Sequence, residues 1–230
     1  LYGASPMSPS RLAEGLERIG PVFSQLYGQS ECYPIAVLPK ADHDVLRPAL
    51  LSACGFPTSA CTVALLDEAG EPVPLGEPGE ICVRAAHAMT EYWQQPELTK
   101  EVQAGGWLHT GDVARADEQG RLYIVDRKKD MIISGGFNVY PREVEDVLTS
   151  HPAVSSAAVV GVADPKWGEA VQAVIVLKAG AVATPEELVS LVKERKGPLH
   201  APKSVRFVQS LPLTSLGKVD KKALRQSSSN

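Results

Sequence analysis

Four cysteines in 230 residues are too few to staple a fold. Cys32, Cys54, Cys61 and Cys82 contain no CxxC pair, which excludes a disulfide framework and suits a reducing, cytoplasmic setting. No apolar run approaches the about 18 residues that a membrane span needs. The longest, 157–163, holds Gly161 and reads as a buried strand. No secretory leader is recognisable, and a chain that opens on Leu1 is expected to be a piece of something longer. Charge of one sign is also scarce. Lys plus Arg number 23 and Asp plus Glu 27, a formal net charge of −4, which argues against a generally basic nucleic-acid or membrane-surface binder. There is no internal repeat, and no low-complexity tract beyond the terminal serines.

What is present is a globular balance, 44% hydrophobic and 22% charged. The charge is uneven: 195–230 holds eight basic residues against the single acid Asp220, which asks for an anionic partner. The chain divides by pattern into three parts. Residues 1–53 read as α/β. Ser8 before Pro9 marks a helix start, Leu12, Leu16 and Ile19 share a face, and Gly20 ends the helix. A strand is expected to run into Tyr27. Over 54–126 short β-prone runs (62–66, 81–84, 122–125) alternate with turn clusters, which predicts a small β-barrel or sandwich subdomain. Residues 127–230 turn mixed again. Pro141 opens a helix with Val144, Val147 and Leu148 inward, strands follow at 154–162 and 171–177, and Thr184 with Glu187 forms a capping box before Leu188, Leu191 and Val192. The fold class is therefore α+β with several subdomains.

Four local signals carry chemistry, and each has a plain structural alternative. In 27–31, Tyr-Gly-Gln-Ser-Glu, a ring can stack on a base, glycine admits a phosphate and a carboxylate holds a hard cation; a strand-to-turn segment would look the same. In 106–112, Asp112 in a glycine-flanked turn suits paired ribose hydroxyls, or caps an Asx-turn. In 126–145, a charged linker leads to Ser134-Gly135-Gly136, backbone that can lie along a ligand or form a plain hairpin. In 211–218, Lys218 after a small-residue loop can reach a phosphate or carboxylate, although the GxxxxGK[ST] spacing is absent.

Taken in this order and spacing, the four signals resemble the adenylate-forming superfamily, and within it the fatty-acyl and aryl-acid CoA ligases. The 132–141 run Ile-Ile-Ser-Gly-Gly-Phe-Asn-Val-Tyr-Pro and the 164–169 run Asp-Pro-Lys-Trp-Gly-Glu are particularly similar, and the likeness extends from Tyr2 to Lys218. The resemblance implies the end of a large α/β domain, a β-rich subdomain and a small mobile α+β C-terminal domain. It implies ATP and Mg2+, with CoA as co-substrate and a small carboxylic acid as substrate. Gly3, Ala4 and Ser5, up to Pro6, would lie along the adenine and the acyl pocket. Tyr27 would stack on adenine beside Gly28, Ser30 would meet the α-phosphate, and Glu31 would hold the metal. Asp112 would take the ribose hydroxyls, assisted by Arg127. Lys129 matches the hinge. Ser134, Gly135, Gly136 and Trp167 would line the pantetheine path, with Lys203 near the CoA phosphates. Lys218 would bridge the carboxylate and the α-phosphate.

The family's upstream phosphate-gripping loop, which ends in Pro-Lys-Gly, is missing from these 230 residues, so the chain alone is expected to have at most trace adenylation activity. Ser30 stands where threonine is commoner, and Ala201 where some relatives carry a cation for CoA. Two rivals remain open: an adenylating enzyme that hands its acyl group to a carrier protein, and a binding module without catalysis. His43, His87, His151 and His200 lack metal spacing and read as packing or surface residues, His109 as a support of the Asp112 turn, Trp93 with Tyr92 as packing, and the cysteines as small buried hydrophobes.

Overall fold

The computed structural model describes residues 1–4, 7–215 and 217–227. The expectations for Ser5 and Pro6 fall outside them, as does Leu216 of the lysine loop. The chain forms two compact units, Leu1–Lys128 and Lys129–Asn230.

The first unit runs β1 (Tyr2–Gly3), α1 (Pro9–Ile19), β2 (Gln25–Gln29), β3 (Cys32–Leu38), β4 (Phe56–Pro57), β5 (Cys61–Leu66), β6 (Gly79–Ala85), α2 (Pro96–Val102), β7 (Leu108–Ala116) and β8 (Leu122–Arg127). Local chemistry sets the ends of α1: Ser8 Oγ accepts from Arg11 N–H at 3.4 Å, and Gly20, at φ 98°, donates its N–H to Leu16. Leu12 and Leu16 are buried against Leu51, but Ile19 is 67% exposed because that cluster ends a turn short of it.

Strands β1 to β4 form one sheet in chain order, with β1 and β2 parallel and the other pairs antiparallel. Gly3 is required there, since a Cβ would stand 2.3 Å from the Leu26 carbonyl oxygen. Strands β5 to β8 form an antiparallel meander. Of the expected barrel or sandwich, a closed barrel is not what forms: the sheet is open, with no pairing of β5 to β8 among the described residues. It closes its core another way, because Tyr27, Ile35 and Ala36 of the first sheet pack with Ile81, Val83, Leu108 and Ala114 of the second. Residues 1–53 and 54–126 thus share one core.

The second unit runs β9 (Ile132–Ser134), β10 (Phe137–Val139), α3 (Pro141–Thr149), β11 (Val154–Asp164), β12 (Gly168–Leu177), α4 (Pro185–Lys196), β13 (Ser204–Phe207) and α5 (Lys221–Gln226). The sheet order is β10-β9-β12-β11, and β13 runs parallel to β12. Both faces of β11 and β12 are covered, which is why they read as continuous apolar runs. Val159, Val171, Ala173 and Ile175 meet Val144, Val147 and Leu148 of α3 and Leu188 and Val192 of α4. Ala158, Val160 and Val174 point the other way and meet Leu224 of α5. Thr184 and Glu187 form the reciprocal capping box at the start of α4.

Candidate functional site

In the first unit, candidate side chains gather at the end of β2 and along β7. Parallel β1 and β2 bring Gly3 beside Leu26, so Gly3-Ala4 and Tyr27-Gly28 emerge at the same carboxyl-terminal edge. That edge is where open parallel sheets collect ligands. Ser30 and Glu31 form the two-residue turn between β2 and β3. Gly28 interrupts the ladder, and any Cβ would fall 2.7 Å from Tyr33 Cδ2 and 2.9 Å from the Cys32 carbonyl oxygen. Ser30 is exposed.

Asp112 lies opposite Arg127 in the β7–β8 register and is only 6% exposed. Its Oδ2 accepts the Tyr27 hydroxyl proton at 2.8 Å, and its Oδ1 accepts from Arg127 Nε at 3.1 Å. A carboxylate has about four lone-pair sites, so two remain for a vicinal diol. Burial, then the Asp112 charge, pushes the Tyr27 phenol far above its ordinary value, which keeps it a donor. Thr110 Oγ1 donates to the Ile81 carbonyl at 2.8 Å and accepts the Asp112 N–H at 3.1 Å. Buried Glu80 accepts the Gly111 N–H at 3.0 Å through Oε1, and its Oε2 lies 3.2 Å from both His109 Nδ1 and Lys128 Nζ. Burial alone would raise its carboxyl, but His109, the Gly111 amide and Lys128 outweigh that and hold it below the usual carboxylate range. The Asp112 turn is therefore held in place before any ligand arrives.

Glu31 Oε1 accepts the Tyr92 hydroxyl proton at 2.6 Å, and its backbone carbonyl accepts the Met89 N–H at 2.7 Å. Among the described residues its Oε2 accepts no hydrogen bond, so an oxygen remains for a hard cation. Trp93, expected to pack beside Tyr92, is instead 80% exposed, since Tyr92 turns its hydroxyl to Glu31 and leaves the indole on the outside of the loop.

In the second unit, Gly135 (φ 60°) and Gly136 (φ 82°) make the two-residue turn between β9 and β10, which demands positive φ at both positions. Gly135 donates its N–H to the Trp167 carbonyl at 2.8 Å, and a Cβ on it would meet Trp167 Cε3 at 2.8 Å. Lys203 Nζ stands 5.1 Å from the centre of the Trp167 ring, and Ser134, 3% exposed, pairs with Gly168. Ser134, Gly135, Trp167 and Lys203 thus share one face, with Gly136 open beside them. Lys218 closes a separate turn: its N–H meets Thr214 Oγ1 at 3.2 Å and its carbonyl accepts the Thr214 N–H at 2.7 Å. Its side chain is exposed and makes no ion pair among the described residues. Lys129 is also exposed, at the boundary between the units.

The basic end of the chain is less available than its composition implies. Lys196 pairs with Glu143, Lys221 with Glu145 and Arg225 with Asp130, and Arg195 donates to Ser150 Oγ. Acids of α3 and its approach absorb that charge. Exposed Lys203, Lys218 and Lys222 stay clear of those pairs.

A family model described as AMP-binding enzyme matches residues 1–93, and one described as AMP-binding enzyme C-terminal domain matches residues 143–218. The chain is 55% identical, over 97% of its length, to a medium/long-chain-fatty-acid–CoA ligase, FadD8, of Mycobacterium tuberculosis, and spans 40% of that protein. It is 42% identical, over 98% of its length, to a feruloyl-CoA synthase of Amycolatopsis, of which it spans 45%. Among solved structures, the amide bond synthetase McbA of Marinactinospora thermotolerans superposes with a TM-score of 0.94 at 47% identity, covering 98% of this chain and 45% of that one. The chain thus spans less than half the length of the relatives it matches.

Proposed function

This chain belongs to the AMP-binding enzyme family, and from that premise we propose that it serves an ATP-dependent acid–CoA ligase acting on a fatty or aryl acid. The reaction has two halves. A carboxylate attacks the α-phosphate of ATP, giving acyl-adenylate and pyrophosphate; the CoA thiol then displaces AMP and leaves a thioester. The observation that carries the reading is the Tyr27–Asp112–Arg127 cluster, a buried carboxylate fixed and charge-balanced with two acceptor positions to spare for a ribose.

Attack on the α-phosphate gathers negative charge, so cations aligned beforehand lower the barrier. Lys218 supplies an exposed ammonium, with no ion pair among the described residues, on a turn braced by Thr214. Ser30 Oγ can donate to an α-phosphate oxygen from the β2–β3 turn. Mg2+, when bound, would neutralise phosphate charge, and Glu31, oriented by Tyr92, is the carboxylate that would hold it. A lysine at the adenylate would obstruct the incoming thiol. In this reading Lys129 is the pivot that withdraws Lys218 and presents the Gly135-Gly136–Trp167–Lys203 face instead, whose glycine backbone and indole wall suit a pantetheine arm and whose lysine suits a phosphate. The 55% identity to a medium/long-chain ligase favours a fatty acid over an aryl acid.

A second reading concerns the acceptor. The likeness to an amide bond synthetase allows the adenylate to be passed to an amine. ATP–pyrophosphate exchange by the full-length protein, followed by product analysis with CoA, a pantetheinylated carrier or an amine, across a panel of fatty and aryl acids, separates them. Acyl-CoA as main product supports the ligase; exchange with no thioester at any CoA concentration refutes it.

A further inference from the structure

Cys32, Cys61 and His87 are far apart in sequence, yet strand pairing in the first unit brings them together. Cys32 opens β3 directly after the Ser30-Glu31 turn, Cys61 opens β5, and His87 lies two residues beyond Ala85, the β6 partner of Cys61. His87 Nε2 stands 3.5 Å from Cys32 Sγ and 3.8 Å from Cys61 Sγ, and all three atoms lie within 4.8 Å of one another. A tetrahedral zinc ion with Zn–S about 2.3 Å and Zn–N about 2.0 Å needs S···N separations of about 3.5 Å and S···S separations of about 3.8 Å. The apo spacing is already close to that.

We propose that Cys32, Cys61 and His87 form a binding site for a zinc-class divalent ion, placed directly behind the turn that carries Ser30 and Glu31. Two thiolates and a neutral imidazole cancel the charge of the ion, so the site needs no further counter-ion. A fourth position stays open on the solvent side, where His87 is exposed. Each thiol gives its proton to solvent as the ion binds, and no oxidation is involved. Without metal, burial and then the Cys61 sulfur push the Cys32 thiol up to about 11. The second cluster of this kind, Glu80, Cys82 and His109, is unlike it: Lys128 Nζ already lies 3.2 Å from the same Glu80 oxygen and would repel a cation.

The test is titration of the reduced 230-residue protein with Co2+ under anaerobic conditions. A thiolate-to-cobalt absorption band saturating at one equivalent, and abolished by one equivalent of Zn2+, is expected. Cys61→Ser and His87→Ala should each weaken Zn2+ binding by about 100-fold, and Cys82→Ser should leave it unchanged. His87 is exposed, so its variant carries the test should Cys61→Ser fail to fold. Absence of the band, Zn2+ binding as tight in His87→Ala as in the unaltered chain, or a Cys32–Cys61 disulfide that persists under reductant overturns the proposal.

Discussion

The Tyr27 hydroxyl reaches Asp112 Oδ2 at 2.8 Å, joining two sheets through residues 85 apart in sequence. Neither partner is idle: the tyrosine fixes one carboxylate oxygen, Arg127 fixes the other, and the bond lies inside the core that welds β2 and β3 to β6 and β7.

Asp112→Ala removes the carboxylate that accepts the buried Tyr27 hydroxyl proton. Unfolding should become easier by about 1–3 kcal/mol. AMP affinity of the full-length protein, measured by calorimetry, should fall at least about tenfold, the loss of one charge-assisted bond. Unchanged AMP binding would remove the ribose role.

The Gly135 contact separates two costs that glycine avoids. Gly135→Ala incurs both a left-handed backbone and a 2.8 Å approach to Trp167, whereas Gly136→Ala incurs only the first. Denaturant unfolding should show a loss of about 1–3 kcal/mol for Gly136→Ala, with a further overpacking cost of about 1–3 kcal/mol for Gly135→Ala. Equal losses would mean that Trp167 does not demand the glycine.

Glu80 gives a pH signature. Its carboxyl is lower in the folded chain than its ordinary value of about 4.3, so the unfolded chain binds more protons in acid. The stability it contributes is present above that ordinary value and is lost as pH falls through the lower folded one. Unfolding free energy should therefore drop below about pH 5, and Glu80→Gln should flatten that drop. The same acid slope in the variant would place the titration elsewhere.

Much of the fold is legible because its rules are local. Ser8-Pro9, Thr184 with Glu187, and Gly135-Gly136 announce a cap, a capping box and a turn from a few neighbouring residues. Register is not local. The Glu80–Lys128 pair and the Tyr92–Glu31 bond depend on how strands align across many residues. Glu80 stands just ahead of the 81–84 run, after Glu77-Pro78-Gly79, so nothing local marks it as buried and matched. The sequence leaves barrel and sandwich open for a related reason: strand spacing reports hairpins, while closure depends on what covers the open face, here β2 and β3. His87 and the cysteines looked unrelated because their shared place exists only once β3, β5 and β6 are laid side by side.

The central claim is that one lysine serves only the first half-reaction. In the full-length protein, Lys218→Ala should lower acyl-adenylate formation by about 10²–10³, while thioester formation from supplied acyl-adenylate and CoA stays close to the unaltered rate. Equal loss in both half-reactions would contradict the account.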